Sequence, residues 1–285
     1  MFNSPTPQHI LETLLPHLRV AASYTRQIQS KITALPEKEG SGNFFAAALS
    51  AADLSVQTFV EVALLGTFPD LRFHGEEYEK SFNTDYFRAI DLGPQGDYLV
   101  TLDPIDGTQF YLDGHSNYQI ILSILNWDEF EAVLAISPAQ DLYYYALRGQ
   151  GAFKGAIATE LDDCQSLTLE PPQPVVHLGW GLESLAPHLE DHYRVNKVAT
   201  DYSHEVQISN VNGLLSGDLT GAILQRGKFI DGGALAFLAQ EMGFIVTCWD
   251  GSPPPALHTC DNYERPGLVI ASSESVHQHL LESVR

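Results

Sequence analysis

The sequence predicts a mixed α/β protein with an α+β N-terminal half and an α/β C-terminal half. Amphipathic helical periodicity occupies the first 65 residues, and runs of β-branched and aromatic residues joined by hairpin-like turns follow after residue 98. Beyond about residue 175, strands and helices alternate. The turn-rich segment 149–174 separates these patterns, so we predict an N-terminal domain over residues 1–150 and a C-terminal domain over residues 151–285.

Two amphipathic helices are predicted before the first strand. Apolar residues spaced three and four apart indicate a first helix that begins after Thr6 and reaches about residue 35, with Pro16 expected to kink or split it. A second helix is predicted over residues 46–65. Asp53 falls on the apolar stripe of this second helix, where a buried carboxylate is costly unless a cation faces it.

Strands and further helices follow in the order expected for the two halves. The hairpin-like connections at residues 126–130 and 137–141 predict that much of the first sheet is antiparallel. The predicted strands cover residues 98–102, 118–125, 131–136, 142–147, 175–178, 219–224, 244–249 and 267–271. The predicted later helices cover residues 206–215, 232–242 and 274–284.

Composition and charge narrow the classes of function. The net charge of −21 argues against a nucleic-acid polymer or an anionic membrane as partner, because the chain has no basic field. An anionic small substrate remains compatible if bound cations reverse the local charge. The start of the chain does not resemble a secretory signal, and the three cysteines lack zinc-ligand spacing. We therefore expect reduced thiols in a cytoplasmic protein.

The strongest chemical signal is D-P-I-D-G-T, which follows a predicted strand. It places Asp103 and Asp106 three residues apart with Pro104 in the turn between them, and two carboxylates at a strand end suit Mg²⁺. Gly107 and Thr108 then offer backbone N–H groups that an anion can approach. The alternative interpretation is an Asx-type turn with solvated acids.

Two weaker acidic motifs have simpler explanations when taken alone. Glu76 and Glu77 follow Gly75 directly, and adjacent acids of this kind are common on solvated surfaces. Asp231 precedes two glycines and a predicted helix, where the default role of an aspartate is to cap the helix. Neither motif by itself indicates a metal ion.

Taken together, the acids resemble the inositol monophosphatase family of Mg²⁺-dependent, lithium-sensitive phosphatases. The resemblance covers nearly the whole chain and implies a layered αβαβα sandwich, like that of fructose-1,6-bisphosphatase, in a cytoplasmic phosphoric monoester hydrolase. The matching features, in chain order, are Asp53, Gly75-Glu76-Glu77, D-P-I-D-G-T at residues 103–108, R-G-Q-G-A-F at residues 148–153, and Asp231.

The resemblance also implies roles for individual residues. Two or three Mg²⁺ ions would be the cofactors, with Asp103 bridging two of them. Asp53 and Thr108 would be catalytic, because they would orient and deprotonate a metal-bound water. Asp106, Gly107 and Thr108 would contact the substrate phosphate. The implied metal ligands are Glu76, Asp103, the carbonyl of Ile105, Asp106 and Asp231.

Several positions depart from the family pattern. The stretch before Asp53 lacks the earlier aspartate of the family, and Ile230 stands where tryptophan usually precedes the late aspartate. Leu224, seven residues before Asp231, replaces a glutamate that accepts hydroxyl hydrogen bonds in inositol-preferring members. Arg226 and Lys228 could contact a second anionic group of a substrate, or serve as ordinary surface residues.

The function expected from the resemblance is hydrolysis of a small phosphate ester by metal-activated water, as in inositol monophosphatase. The alternatives in the same superfamily are a 3′(2′),5′-bisphosphate nucleotidase and a sugar phosphatase or bisphosphatase. An alternative of another class is a non-catalytic phospho-ligand-binding relative. The expected partner is a small phosphorylated metabolite, with no nucleic-acid polymer and no membrane, and relatives suggest a possible homodimer.

Overall fold

The computed structural model describes residues 5–34, 48–77, 92–261 and 264–285. These residues form two compact units. The first unit contains the described residues up to Arg148 together with Phe153–Gln165. The second contains Gly149–Ala152 and Ser166–Arg285. The chain therefore contributes four residues to the second unit, returns to the first for Phe153–Gln165, and belongs to the second unit from Ser166 onward.

Two helices precede the first sheet. Helix α1, Pro7–Ile28, is capped by Thr6, whose hydroxyl accepts the N–H of His9 at 3.2 Å. It is not split at Pro16, which lies on the exposed side, where water can bond the carbonyl that loses its helical partner. Helix α2, Ala51–Thr67, begins five residues later than predicted, and the first residues of the predicted helix lie outside the described part of the chain.

A seven-stranded sheet forms the centre of the first unit, and its strands follow one another in chain order. The first two strands are parallel, and the next three pairings are antiparallel, as the hairpin signals predict. The apolar sides of α1 and α2 pack with alternate residues of this sheet in one buried cluster. The strands are β1 Arg72–Gly75, β2 Leu99–Asp106, β3 Gln119–Leu125, β4 Phe130–Ser137, β5 Leu142–Leu147, β6 Ala152–Ala156 and β7 Gln165–Ser166, and the short helix α3, Thr108–Leu112, follows β2.

The second unit is built on a five-stranded mixed sheet in the order β12-β14-β10-β8-β9. Strand β8 is parallel to both of its neighbours, whereas β14 is antiparallel to both of its own. The strands are β8 Val175–Leu178, β9 Arg194–Lys197, β10 Gly221–Leu224, β12 Ile245–Cys248 and β14 Leu268–Ala271, with a separate ribbon of β11 Gly227–Lys228 and β13 Glu264–Arg265. The helices are α4 Val198–Asp201, α5 Gly213–Ser216, α6 Ala234–Glu241 and α7 Glu274–Ser283.

The prediction of a helix over residues 206–215 is wrong. Only Gly213–Ser216 is helical, and Ser203 and Val206 exchange two backbone hydrogen bonds in a turn. Val206, which the periodicity places on the apolar side, is half exposed. The reason is local competition, because the asparagines at 210 and 212 and the serine at 209 favour turns over a helix interior.

None of the helices in the described ranges is both long and apolar enough to cross a bilayer. All three cysteines, Cys164, Cys248 and Cys260, are free thiols. The mixed composition of sheets and helices agrees with the predicted fold class.

Acidification is expected to destabilise the second unit through His177 on β8. Burial lowers the pKa of this imidazole to about 4 from 6.5, and the bond that its Nδ1–H donates to the Ser209 carbonyl at 3.2 Å opposes the change only partly. A lowered folded-state pKa stabilises the protein above pH 6.5, and this contribution is lost as the pH falls toward 4, by up to about 1.4 kcal/mol per pH unit. Urea unfolding of the wild type and of His177→Gln between these pH values measures it, and an identical pH slope for both proteins would contradict it.

Candidate active site

Asp53 lies at the start of α2, where a capping box fixes its carboxylate. The Ser50 hydroxyl accepts the N–H groups of Ala52 and Asp53, and Asp53 Oδ2 accepts the Ser50 N–H at 2.8 Å and the Ser50 hydroxyl at 2.5 Å. Asp53 is fully buried. The helix end therefore explains how a carboxylate is held inside the first unit, since it supplies both hydrogen bonds and a favourable dipole.

The register of the parallel pair β1–β2 brings the backbone of Glu76 next to that of Asp103. Gly75 is paired with Leu102, and the Glu76 N–H donates to the Leu102 carbonyl at 3.0 Å. The next residues are Glu76, directly after the end of β1, and Asp103 on β2. Because neighbouring strands are about 4.8 Å apart and residues in register share a face, the two carboxylates start from adjacent positions.

A bulge in β2 brings Asp103 and Asp106 to the same side of the sheet. Residues three apart in a regular strand point to opposite faces. Here Asp103 pairs with Ile121 and Asp106 pairs with Gln119, so three steps on β2 match two steps on β3. The extra residue corrects the alternation, and both aspartates occupy positions on one face. Asp103 is almost fully buried and Asp106 is half-buried.

The turn after β2 connects this acidic region to Asp53. Thr108 Oγ1 lies 3.1 Å from Asp53 Oδ1 and 2.9 Å from the Ile105 carbonyl oxygen, and its single proton can be given to either acceptor. Asp103 Oδ1 accepts the Ile105 N–H at 3.1 Å, which tightens the turn. Gly107 has a φ of 82°, in the left-handed region that favours glycine, so the turn needs this residue.

The environment of Asp53 changes its protonation. Its pKa is raised from 3.8 to about 6, mainly by burial and in addition by the negative charge of Glu76. The hydrogen bonds from Ser50 and Thr108 act in the opposite direction, because they favour the charged form. Negative charge therefore accumulates between the start of α2 and the end of β1.

The donor types in this region fit Mg²⁺. Carboxylate and carbonyl oxygens are the ligands that this ion prefers, and a divalent charge would offset the repulsion between Glu76 and Asp53. Within the described ranges, no three His, Cys, Asp or Glu side chains are gathered closely enough to hold a metal ion. The described side chains thus supply the right chemistry and neighbouring strand positions, but not a closed set of ligands.

Asp231 belongs to the second unit, and its side chain lies outside the described part of the structure. Its backbone is in a π-helical turn, Phe229–Gly233, before α6 begins at Ala234. The simpler alternative, a capping role for Asp231, does not hold for α6, because Asp231 lies inside the turn and the cap residue is Gly233. Single π turns are frequent at functional sites.

Leu224 lies against the same turn. A Cβ added at Gly232 would be 2.9 Å from the Leu224 Cδ1, so the apolar side chain contacts the residue that follows Asp231. The nearby Arg226 forms an ion pair with Glu264 at 2.7 Å. The guanidinium of Arg226, a predicted contact for a second anionic group of the substrate, is therefore already paired with a carboxylate. Lys228, the other predicted contact, is exposed.

Sequence reasoning missed two residues of the first unit. Ser50 was not predicted because the helix was expected to begin earlier, although serine three residues before an acidic residue is a capping signal. Gln57, one turn after Asp53, is buried and its Oε1 accepts the Glu77 N–H at 2.9 Å. The position of Gln57 four residues after Asp53, on the same face of the helix, could have predicted that it lies near the site.

A mixed α/β scaffold with carboxylates at adjacent strand positions and a glycine turn beside them is suited to an enzyme that acts on phosphate esters with the help of cations. The profile of the inositol monophosphatase family matches residues 17–285. The chain belongs to this family of phosphoric monoester hydrolases. The family resemblance predicted from the sequence is therefore confirmed.

Known relatives agree with this assignment. The inositol-1-monophosphatase of Bacillus subtilis (strain 168) is 25% identical over 237 residues, which cover 81% of this chain and 80% of that protein. The fold is similar to that of Thermotoga maritima IMPase, with a TM-score of 0.72, 17% identity and coverage of 96% of each chain. It is also similar to an IMPase/NADP phosphatase complexed with Mg²⁺ and phosphate, with a TM-score of 0.70, 19% identity and coverage of 97% of this chain and 95% of that chain. These likenesses confirm the predicted fold class.

Proposed function

We propose that this protein is a Mg²⁺-dependent phosphomonoesterase that hydrolyses a small phosphate ester in the manner of inositol monophosphatase. The observation that carries this proposal is the bond between Thr108 and the buried Asp53. It joins the start of α2 to the turn of D-P-I-D-G-T, next to the strand positions of Glu76 and Asp103. A buried carboxylate bonded to a hydroxyl is the kind of group that accepts a proton during hydrolysis.

The residues proposed to hold two or three Mg²⁺ ions are those expected from the family resemblance. Bound Mg²⁺ would polarise a phosphoryl oxygen and lower the pKa of a water molecule. The shared face of Asp103 and Asp106 and the adjacent position of Glu76 support this role. The full proposed set is Glu76, Asp103, the Ile105 carbonyl, Asp106 and Asp231.

Asp53 and Thr108 are proposed to handle the proton of the attacking water. Thr108 Oγ1 can accept a proton from water while it gives its own to Asp53 Oδ1, 3.1 Å away. A carboxyl with a pKa of about 6 is suited to take up that proton near neutral pH. The Ile105 carbonyl, the second acceptor of Thr108, holds the hydroxyl in place when it is not bonded to Asp53.

The substrate phosphate is proposed to bind at the turn of Asp106, Gly107 and Thr108. The left-handed backbone at Gly107 leaves no side chain between the turn and an approaching anion. Backbone N–H groups would then bond phosphate oxygens in a protein whose net charge of −21 otherwise repels them.

Several small metabolites are candidates for the alcohol part of the substrate. Leu224 cannot accept a hydrogen bond, so it would leave an inositol hydroxyl unpaired if it faced the substrate. One similar structure is described as an IMPase/NADP phosphatase, and the Bacillus subtilis relative as an inositol-1-monophosphatase. We therefore propose an inositol phosphate, a sugar bisphosphate and a nucleotide bisphosphate as the candidates to compare.

Phosphate release from p-nitrophenyl phosphate with and without Mg²⁺ tests the proposed reaction. We expect turnover that depends on Mg²⁺, disappears with EDTA and returns when Mg²⁺ is added in excess. A screen of inositol 1-phosphate, fructose 1,6-bisphosphate, NADP and 3′-phosphoadenosine 5′-phosphate then identifies the substrate class, and the same assay with LiCl tests the lithium sensitivity that the resemblance implies. Binding of these compounds without any turnover would favour the non-catalytic phospho-ligand-binding alternative.

A further inference from the structure

Gln57 is a buried polar residue for which the proposed reaction has no role. It lies in α2, one turn after Asp53, and only 4% of its surface is exposed. A buried amide costs free energy unless its polar atoms are bonded. Gln57 Oε1 meets this requirement by accepting the backbone N–H of Glu77 at 2.9 Å. The bond connects α2 to the residues that follow β1.

Gly75 makes room for this contact. A Cβ at position 75 would lie 2.2 Å from Gln57 Cδ and 2.3 Å from its Oε1, which is closer than any real contact. Gly75 is not in the left-handed backbone region, so close approach, and not backbone conformation, explains the glycine. The amide of Gln57 therefore packs directly on the backbone at Gly75 while it bonds the backbone at Glu77.

Glu76 lies between these two attachment points. Its own N–H is bonded to Leu102 on β2, and the backbone on either side contacts the Gln57 amide. The backbone of Glu76 is thus held from the sheet and from α2 at once. A carboxylate on a backbone fixed in this way has fewer orientations to lose when it binds a cation.

We propose that Gln57 is a positioning residue that holds Glu76 beside Asp103 for cation binding. This role rests on the proposed function, because it assigns a task to Gln57 at the same site. Gln57 also couples the two acidic elements, since the helix that carries it carries Asp53 one turn earlier. A neutral amide can do this without adding a charge near Glu76.

Gln57→Leu tests the role, because leucine is close in size but has no acceptor for the Glu77 N–H. We expect the Mg²⁺ concentration that half-saturates p-nitrophenyl phosphate hydrolysis to rise about tenfold or more, as when partners of metal ligands are removed in other proteins. The rise in Tm with added MgCl₂ should move to higher Mg²⁺ concentrations by the same factor. The matched control is Gln27→Leu, which changes an exposed glutamine on α1.

The proposed function and the positioning role of Gln57 are contradicted by different results. If the wild type shows neither Mg²⁺-dependent hydrolysis nor an Mg²⁺-dependent rise in Tm, the proposed function fails. If the wild type shows both and Gln57→Leu has the same half-saturating Mg²⁺ concentration, only the positioning role of Gln57 is overturned. A lower Tm without a change in Mg²⁺ dependence would also overturn it, because that is the result of a purely structural role.

A second pair of variants covers the case in which Gln57→Leu does not fold. Gly75→Ala should displace the Gln57 amide and raise the half-saturating Mg²⁺ concentration about tenfold. The same substitution in a Gln57→Ala background should have little further effect, because the space is then open. Equal effects of Gly75→Ala in both backgrounds would contradict the proposal.

Discussion

Asparagine in place of Asp103 is expected to lower kcat at least about a thousandfold while leaving the fold intact. A bound cation contributes several kcal/mol to transition-state stabilisation, and each ~1.4 kcal/mol is a factor of ten in rate. Asparagine keeps an oxygen that can accept the Ile105 N–H, so the turn after β2 should persist. The loss is therefore one of charge at an almost fully buried position. Steady-state hydrolysis of p-nitrophenyl phosphate at saturating Mg²⁺ measures the effect.

Asp163→Asn is the matched control for this experiment. It makes the same chemical change at an exposed position of the first unit and should leave kcat near that of the wild type. Circular dichroism and Tm verify that Asp103→Asn is folded. Near-normal turnover of Asp103→Asn would remove the basis for placing a metal ion at this residue. We expect the same loss for Asp231→Asn, as the family resemblance implies.

Asp53→Asn is expected to lower kcat by about 10²–10⁴, the range typical of losing a general base. The asparagine oxygen can replace the acceptor of the Ser50 N–H, and its NH₂ can donate to Thr108 Oγ1. Thr108 can then give its proton to the Ile105 carbonyl, so every buried polar group keeps a partner. The variant should fold and bind substrate, but it should turn the substrate over slowly.

The same substitution is expected to stabilise the metal-free protein near neutral pH. The folded-state pKa of Asp53 is raised from 3.8 to about 6, so its protonated form stabilises the fold and this contribution is lost as the pH rises through that interval. Asparagine does not titrate. The difference in free energy of unfolding between Asp53→Asn and the wild type should therefore grow between pH 4 and 6 and then level off, at up to about 3 kcal/mol for a shift of about two pKa units.

Urea unfolding in EDTA across this pH range provides the measurement. A lower activity together with a higher metal-free stability is the combination expected of a carboxylate kept for catalysis at a cost to the fold. A variant that loses stability at every pH would indicate instead that Asp53 serves the structure of α2.

The local character of the chain was predictable where the sequence pattern is strong. The strand over residues 142–147 and the strand over residues 175–178 have the predicted bounds, because three consecutive tyrosines in the first and two consecutive valines in the second favour a strand. The start of α2 was not predictable to the residue. Alanines at positions 46–48 favour a helix as much as later residues do, and the decision came from the Ser50 cap and its pairing with Asp53.

The candidate site shows the same division. D-P-I-D-G-T predicted a cation site from residue types and spacing, since carboxylates at a strand end suit a hard cation. G-E-E and Asp53 were assigned to the same site only by the family resemblance. The same spacing of three would place Asp103 and Asp106 on opposite faces of a regular strand. Only the pairing with β3 shows the bulge that brings them to one face.

By itself, the sequence determined the fold class, the family and the acidic residue types, because these depend on local periodicity and on motifs contiguous in the chain. The tertiary structure alone decided that Gly75 pairs with Leu102, so that Glu76 and Asp103 follow a matched pair, and that Thr108 reaches Asp53 across 55 positions of sequence. It also decided that Gln57 packs on Gly75. Such contacts depend on strand register and helix packing, which join distant segments and leave no periodic trace in either segment alone.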